Sequence, residues 1–333
     1  METNFGRKLY LKLKGVWAAA LTALKARYSS SRPTRKSDLK KVGQNNFIAG
    51  SCMHINGSLK YHVFTPTNYA AGMPLLVMLH GCKQDAEMFA TGTRMNQLAE
   101  EFGFVVLYPT QSRMANPNQC WNWYQSINQH RNMGEPSVIA DMTRDIIETY
   151  KINPHKVFIA GLSAGGAMAY IVGSQYPELY AGIGVHSGLL YRGINNMFTA
   201  MAAMKTGTEQ IGKIEELQDQ FMEYANGQHT VPHAEQPLIV FHGDNDLVVD
   251  AQNALDLMAY HHQENSFEER QEESSNHYGY TRTSYQNEQG ASLAEQWIIH
   301  GAGHAWSGGN EEGNFADANG PDASAEMVRF FMQ

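Results

Sequence analysis

Val157-Phe158-Ile159-Ala160-Gly161-Leu162-Ser163-Ala164-Gly165-Gly166-Ala167-Met168 is the stretch on which the fold turns. An apolar run enters G-x-S-x-G and leaves through small residues into a helical pattern. A bare G-x-S-x-G arises often by chance, and a serine in a Gly-rich turn ordinarily needs no function. Context decides. Here residues 157–160 read as a strand and 164–176 as a helix, so Ser163 falls on the turn between them, where a nucleophile is held exposed.

Outward from that turn, short apolar runs alternate with longer stretches of helical period. Strands are expected at 58–65, 75–79, 104–108, 181–185, 238–241, 278–285 and 295–300. Helices are expected at 89–102, 137–150, 249–262 and 324–330. A long loop spans 109–136, and 264–276 reads as an acidic surface loop. Residues 189–236 break the rhythm: Met197, Met201, Met204 and Met222 sit among Gly, Thr and acidic residues. They read as a helical insertion, packed through adaptable Met side chains or serving as a lid. The pattern predicts an α/β-hydrolase fold, with a mostly parallel central sheet, helices on both faces and a helical lid.

The 333 residues, 43% of them hydrophobic, suffice for one large domain over 47–333. The net charge of −8 is unevenly spread: residues 1–41 hold 11 Lys/Arg against Glu2 and Asp38. The acidic remainder gives no support to a nucleic-acid-binding core. Residues 1–46 form a basic extension. Its order of charged, apolar and small residues is that of a secretory signal, but the apolar block is only nine residues long and no clear cleavage site follows. An amphipathic helix carrying Leu9, Leu13, Trp17, Ala20, Leu21 and Leu24, for contact with a membrane or polymer surface, is one alternative. A solvated extension is another.

A serine hydroxyl near neutral pH needs an imidazole to take its proton, a carboxylate to orient that imidazole, and donors for the oxyanion. On this fold the partners follow in the order serine, acid, histidine. After the strand at 238–241 comes His242-Gly243-Asp244-Asn245-Asp246, and Asp246 is preferred; Asp244, directly after Gly243, suits an Asx turn. The base is expected late in the chain. Most of the fourteen histidines, among them His54, His62, His155, His261, His262 and His277, read as surface or loop residues. His304, in Gly301-Ala302-Gly303-His304, sits on a glycine-rich loop, whereas His300 belongs to the preceding strand. The oxyanion donors are expected at the Ala164 N–H and at the Cys82 N–H of Leu79-His80-Gly81-Cys82. Trp121, Trp123 and Tyr124 read either as core aromatics or as a pocket wall, and Trp306 as a screen beside the base. Neither a metal nor a cofactor is implied.

Leu79-His80-Gly81-Cys82, Cys120-Trp121-Asn122-Trp123-Tyr124, Gly161-Leu162-Ser163-Ala164-Gly165-Gly166, His186-Ser187-Gly188, Phe241-His242-Gly243-Asp244 and the run from His300 to Gly309 form a series. With Gly320-Pro321-Asp322-Ala323 it closely resembles the polyhydroxybutyrate depolymerase family of esterases, from about residue 58 to the C-terminus. That family is similar in outline to feruloyl and acetylxylan esterases. The resemblance implies the same triad and oxyanion amides, a Cys82–Cys120 disulfide and an exported enzyme, with a cytoplasmic one as the alternative. Cys52 is left over. The expected activity is ester hydrolysis on a small-molecule or polymer substrate. An acyltransferase or peptidase using the same triad is the second reading, and a non-catalytic binding protein the third.

Overall fold

The computed structural model describes residues 46–208, 236–261, 268–276, 278–287 and 292–333. The basic extension up to residue 45, with its export and surface-helix alternatives, lies outside the described residues, as does 209–235 of the expected lid.

The runs of apolar residues become β3 (Leu75–Leu79), β4 (Val105–Thr110), β5 (Val157–Leu162), β6 (Gly182–His186), β7 (Leu238–Gly243) and β10 (Ser292–Ile299). Their spatial order is β4-β3-β5-β6-β7-β10, and every neighbouring pair is parallel. Antiparallel strands close both sides: β1 (Phe47–His54) and β2 (Gly57–Phe64) beyond β4, and β9 (Tyr278–Gln286) and β8 (Glu268–Asn276) beyond β10. The parallel strands share one direction, so their carboxyl ends lie along a single edge. That edge is where loops of an open α/β sheet collect a ligand.

Alternate residues of a strand face opposite sides of the sheet. Leu75, Val77 and Leu79 join one core with residues of α3 (Gly134–Thr149) and α4 (Ala164–Gln175), such as Ile139, Met142, Ala167 and Ile171. Leu76 and Met78 join the other core with α1 (Ala86–Thr93), α2 (Met95–Phe102) and α7 (Ala323–Phe331), through Phe89, Ala99 and Met327. Helices therefore cover both faces. Every residue of α4 is buried, which fits its largely apolar, Gly- and Ala-rich sequence. Fully burying one Leu or Ile here contributes about 1.5–3 kcal/mol.

Two expectations need correction. The helix expected at 89–102 is two helices, broken at Arg94 in the left-handed region (φ 55°), whose guanidinium reaches Gly308 O and Asp322 at 2.6 Å. The acidic stretch 264–276 contains a strand, β8, paired along its length with β9. An edge strand is held by backbone bonds, so polar composition conceals it. Likewise β1 escapes the pattern because Cys52 is its one buried residue. The first part of the expected insertion holds α5 (Met197–Thr206), capped by Asn196 and packed beside α6 (Gln252–His261).

Candidate active site

Ser163 ends β5 at φ 57°, ψ −122°, a conformation that costs a residue with a side chain about 1–3 kcal/mol. Close packing around the turn imposes it. A Cβ on Gly161 would stand 2.3 Å from Gly165 O, and one on Gly165 would stand 2.1 Å from Leu79 O. Both positions must be glycine because α4 begins against the backbone of β3. Gly165→Ala would force that helix off the sheet. The first amides of α4 lack intrahelical partners, so Ala164 N–H emerges beside Ser163.

Two loops leaving β7 and β10 meet at the same edge. His304 Nδ1–H donates to Asp246 Oδ2 at 2.6 Å; the Asp246 side chain is fully buried and that of His304 is 12% exposed. The other carboxylate oxygen accepts Val248 N–H and Val249 N–H at 2.8 and 2.9 Å. His242 Nε2–H donates to Val249 O at 2.8 Å and lies 3.5 Å from Asp246 Oδ2. Burial works to raise the Asp246 pKa, but the hydrogen bond and charge of His304, with the Val249 amide and His242, bring the net shift below the usual value. Asp246 thus stays ionised and holds the His304 Nδ1 proton. It is Asp246 that makes the Asx-type turn. Asp244, expected to do so, instead accepts from His300 Nδ1 at 2.9 Å and Gly301 N–H at 2.7 Å.

Between these loops and the serine stands His186, at the end of β6. Its carbonyl accepts Ser163 N–H at 2.8 Å, and its Nε2 accepts Ser307 N–H at 3.0 Å. Its pKa is pulled down to about 3, first by burial and then by His242 and His304, so the ring is neutral. Sequence reasoning quoted His186 and His242 within motifs but gave neither a role. The signal was present: each directly follows a predicted strand, next to a glycine-bearing turn.

The loop after β3 is fastened from several sides. Gly81 N–H donates to Gln84 Oε1 at 2.8 Å, and Lys83 N–H to Asn118 O at 2.7 Å. His80 is buried and neutral, its pKa lowered by burial to about 4; Nδ1–H donates to Gly81 O and Nε2 accepts Gln111 N–H. Cys82 and Cys120 are joined by a disulfide. Closing that 38-residue separation is worth about 3–4 kcal/mol on a chain-entropy view. Glu135, at the start of α3, accepts from Gln111 Nε2, Asn122 Nδ2 and Asn122 N–H at 2.6, 2.6 and 2.9 Å. It anchors the loop bearing the tryptophans, and sequence reasoning missed it.

Two expected substrate contacts are corrected by burial. Trp121 is 0% exposed and donates Nε1–H to His80 O at 3.0 Å, so it is a pillar under the loop after β3. Trp306 is 1% exposed, bonded to Ser324 Oγ and stacked on His186, so it lies beneath the His304 loop and presents no face to a ligand. Trp123 is also largely buried and meets Tyr124 edge to face; Tyr124 is half-buried.

Among curated relatives, the chain is 28% identical over 250 residues to poly(3-hydroxyalkanoate) depolymerase C of Paucimonas lemoignei, covering 74% of this chain and 58% of that protein. It is 35% identical over 164 residues to acetylxylan esterase A of Talaromyces purpureogenus, covering 48% and 42% respectively. The chain thus spans 58% or less of the length of these relatives. Among solved structures, an acetyl xylan esterase from Aspergillus awamori superposes with a TM-score of 0.58 at 20% identity, over 82% of this chain and 94% of that one. A thermostable esterase superposes with a TM-score of 0.51 at 17% identity, over 86% and 62%. These likenesses are in fold, and the fold is that of the α/β-hydrolases. The family described as esterase PHB depolymerase matches residues 59–286, more than two thirds of the chain, and this chain belongs to it.

Proposed function

We propose that this chain hydrolyses carboxylic esters through an acyl-enzyme on Ser163, with His304 as general base and acid and Asp246 as its orienting carboxylate. The observation that carries the reading is the 2.6 Å bond from His304 Nδ1 to a buried, ionised Asp246. It stands at the sheet edge where the strained Ser163 turn ends β5. With the Nδ1 proton committed to Asp246, Nε2 takes the Ser163 proton as Oγ attacks the ester carbonyl. The N–H groups of Cys82 and Ala164 receive the oxyanion, each such donor being worth roughly 10²–10³ in rate. His304 then returns the proton to the departing alcohol. Water, deprotonated by the same nitrogen, attacks the acyl-enzyme and releases the acid.

Relatives named for poly(3-hydroxyalkanoate), acetylxylan and feruloyl esters support an ester substrate, with the acid part short, hydroxylated or aromatic. Tyr124, half-buried, is the aromatic contact offered to it. The disulfide supports an oxidising compartment and hence export.

The test is ester hydrolysis by the wild type and by Ser163→Ala. The panel is p-nitrophenyl acetate and butyrate, a 3-hydroxybutyrate trimer and methyl ferulate. Ser163→Ala is expected to lose roughly 10⁴-fold or more in kcat. A variant that keeps a tenth of wild-type activity would defeat the reading, and the preferred ester assigns the substrate class.

A further inference from the structure

The serine and the histidine of this site arrive on different loops, and one residue between them bonds to both, through its backbone carbonyl to the first and through its ring to the second. His186 is 1% exposed. Its carbonyl holds the amide of the nucleophile, Ser163, at 2.8 Å. Its Nε2 accepts Ser307 N–H at 3.0 Å, three residues beyond His304. The ring is fixed between Phe241, at 5.9 Å and 12° between planes, and Trp306, at 5.0 Å and 25°. Nδ1–H completes the arrangement by donating to Ser187 Oγ at 3.1 Å. Accepting from an amide requires a bare Nε2, so the contacts select a single tautomer.

We infer that His186 is a positioning residue for the hydrolytic reaction, a neutral imidazole that locks the His304 loop to the Ser163 turn. The inference rests on the reading of Ser163 and His304 as nucleophile and base. A protonated His186 would point a donor at the Ser307 amide and release the loop; burial, which holds its pKa far below neutrality, prevents this. The lock adds no group to the reaction. It sets the approach of His304 Nε2 to Ser163 Oγ, on which proton transfer depends steeply.

The experiment measures kcat and KM from pH 5 to 9 on p-nitrophenyl butyrate for the wild type, His186→Gln and His186→Leu, with Ser163→Ala as control. Glutamine can present an acceptor near the position of Nε2, whereas leucine keeps bulk alone. His186→Leu is expected to lose about 100-fold in kcat with KM within about threefold, and His186→Gln to recover at least tenfold of that loss. A His186→Leu enzyme within threefold of wild-type kcat, beside an inactive Ser163→Ala, overturns the positioning role and leaves the esterase reading standing. Equal losses in the leucine and glutamine variants overturn it too. An active Ser163→Ala removes both. Nitrogen-15 NMR of the wild-type ring keeps the test independent of how the variants fold. The expected result is an Nδ1–H tautomer that does not titrate between pH 5 and 8; an Nε2–H tautomer, or titration in that range, overturns the proposal.

Discussion

Two Asp–His pairs bridge the same two loops, four residues apart at the histidine and two at the aspartate. In the inner pair, His304 and Asp246 meet at 2.6 Å with side chains 12% and 0% exposed. In the outer pair, His300 and Asp244 meet at 2.9 Å with side chains 47% and 41% exposed. Each carboxylate pKa is lowered, against the contrary pull of burial, by its histidine and by a backbone amide. The chemistry is shared and the surroundings are not. Water screens the outer pair, so it is worth about 0–1 kcal/mol. The inner pair cannot lose a partner without leaving a buried group unsatisfied, which costs about 3–5 kcal/mol. Exposure, more than residue type, assigns one pair to the site and the other to the surface.

The sharpest way to break this contrast is Asp246→Asn against Asp244→Asn. The first is expected to lower kcat/KM roughly 10³–10⁴-fold, because an amide in place of the carboxylate no longer fixes the His304 tautomer. The second should stay within about threefold. Comparable losses in both would erase the distinction.

Stability offers the next largest effect. Asp246→Ala should destabilise the fold by about 3–5 kcal/mol in urea unfolding, and Asp244→Ala by no more than about 1 kcal/mol.

Acid should reach the inner cluster first. Asp246 contributes stability that is complete above its unfolded pKa of 3.8 and is lost as pH falls through the lower folded value. His186 and His80 have pKa values depressed to about 3 and about 4 from 6.5. Between 6.5 and those values the unfolded chain binds more protons, so stability falls as pH falls. Each histidine should cost about 2 kcal/mol at pH 5 relative to pH 7. Urea midpoints across pH 4–8 measure this, and His186→Gln should remove its share of the slope.

The smallest effect belongs to the outer pair and to salt. His300→Gln should shift stability by under about 1 kcal/mol, and the shift should shrink between low salt and about 0.5 M NaCl. The effect of Asp246→Ala should barely respond to salt.

Much of this site could be read from the chain because strand, turn and helix left local marks. The apolar run before Gly161-Leu162-Ser163-Ala164-Gly165 and the small residues after it identify the turn, and the glycine-rich loop around His304 sets that histidine apart. What escaped reading was held by long-range bonds. β8 is an acidic strand made by pairing with β9. Glu135 gains its meaning from Gln111 and Asn122, on another loop. Trp121 was left open between core and pocket wall, because an aromatic side chain reads alike in both, and Trp306 was read as a screen; burial made both supports.

By itself, then, the sequence determined the alternation of strands and helices, the turn that holds Ser163, and the order of Ser163, Asp246 and His304 along the chain. Each follows from side-chain period and from the backbone freedom of glycine, which are properties of a short segment. Tertiary structure alone decided that Asp244 meets His300, that the Asp246–His304 pair is the buried one, and that His186 ties two loops together. Those outcomes depend on exposure and on hydrogen bonds between segments far apart in the chain, and water excluded from one pair but not the other fixes what each can do.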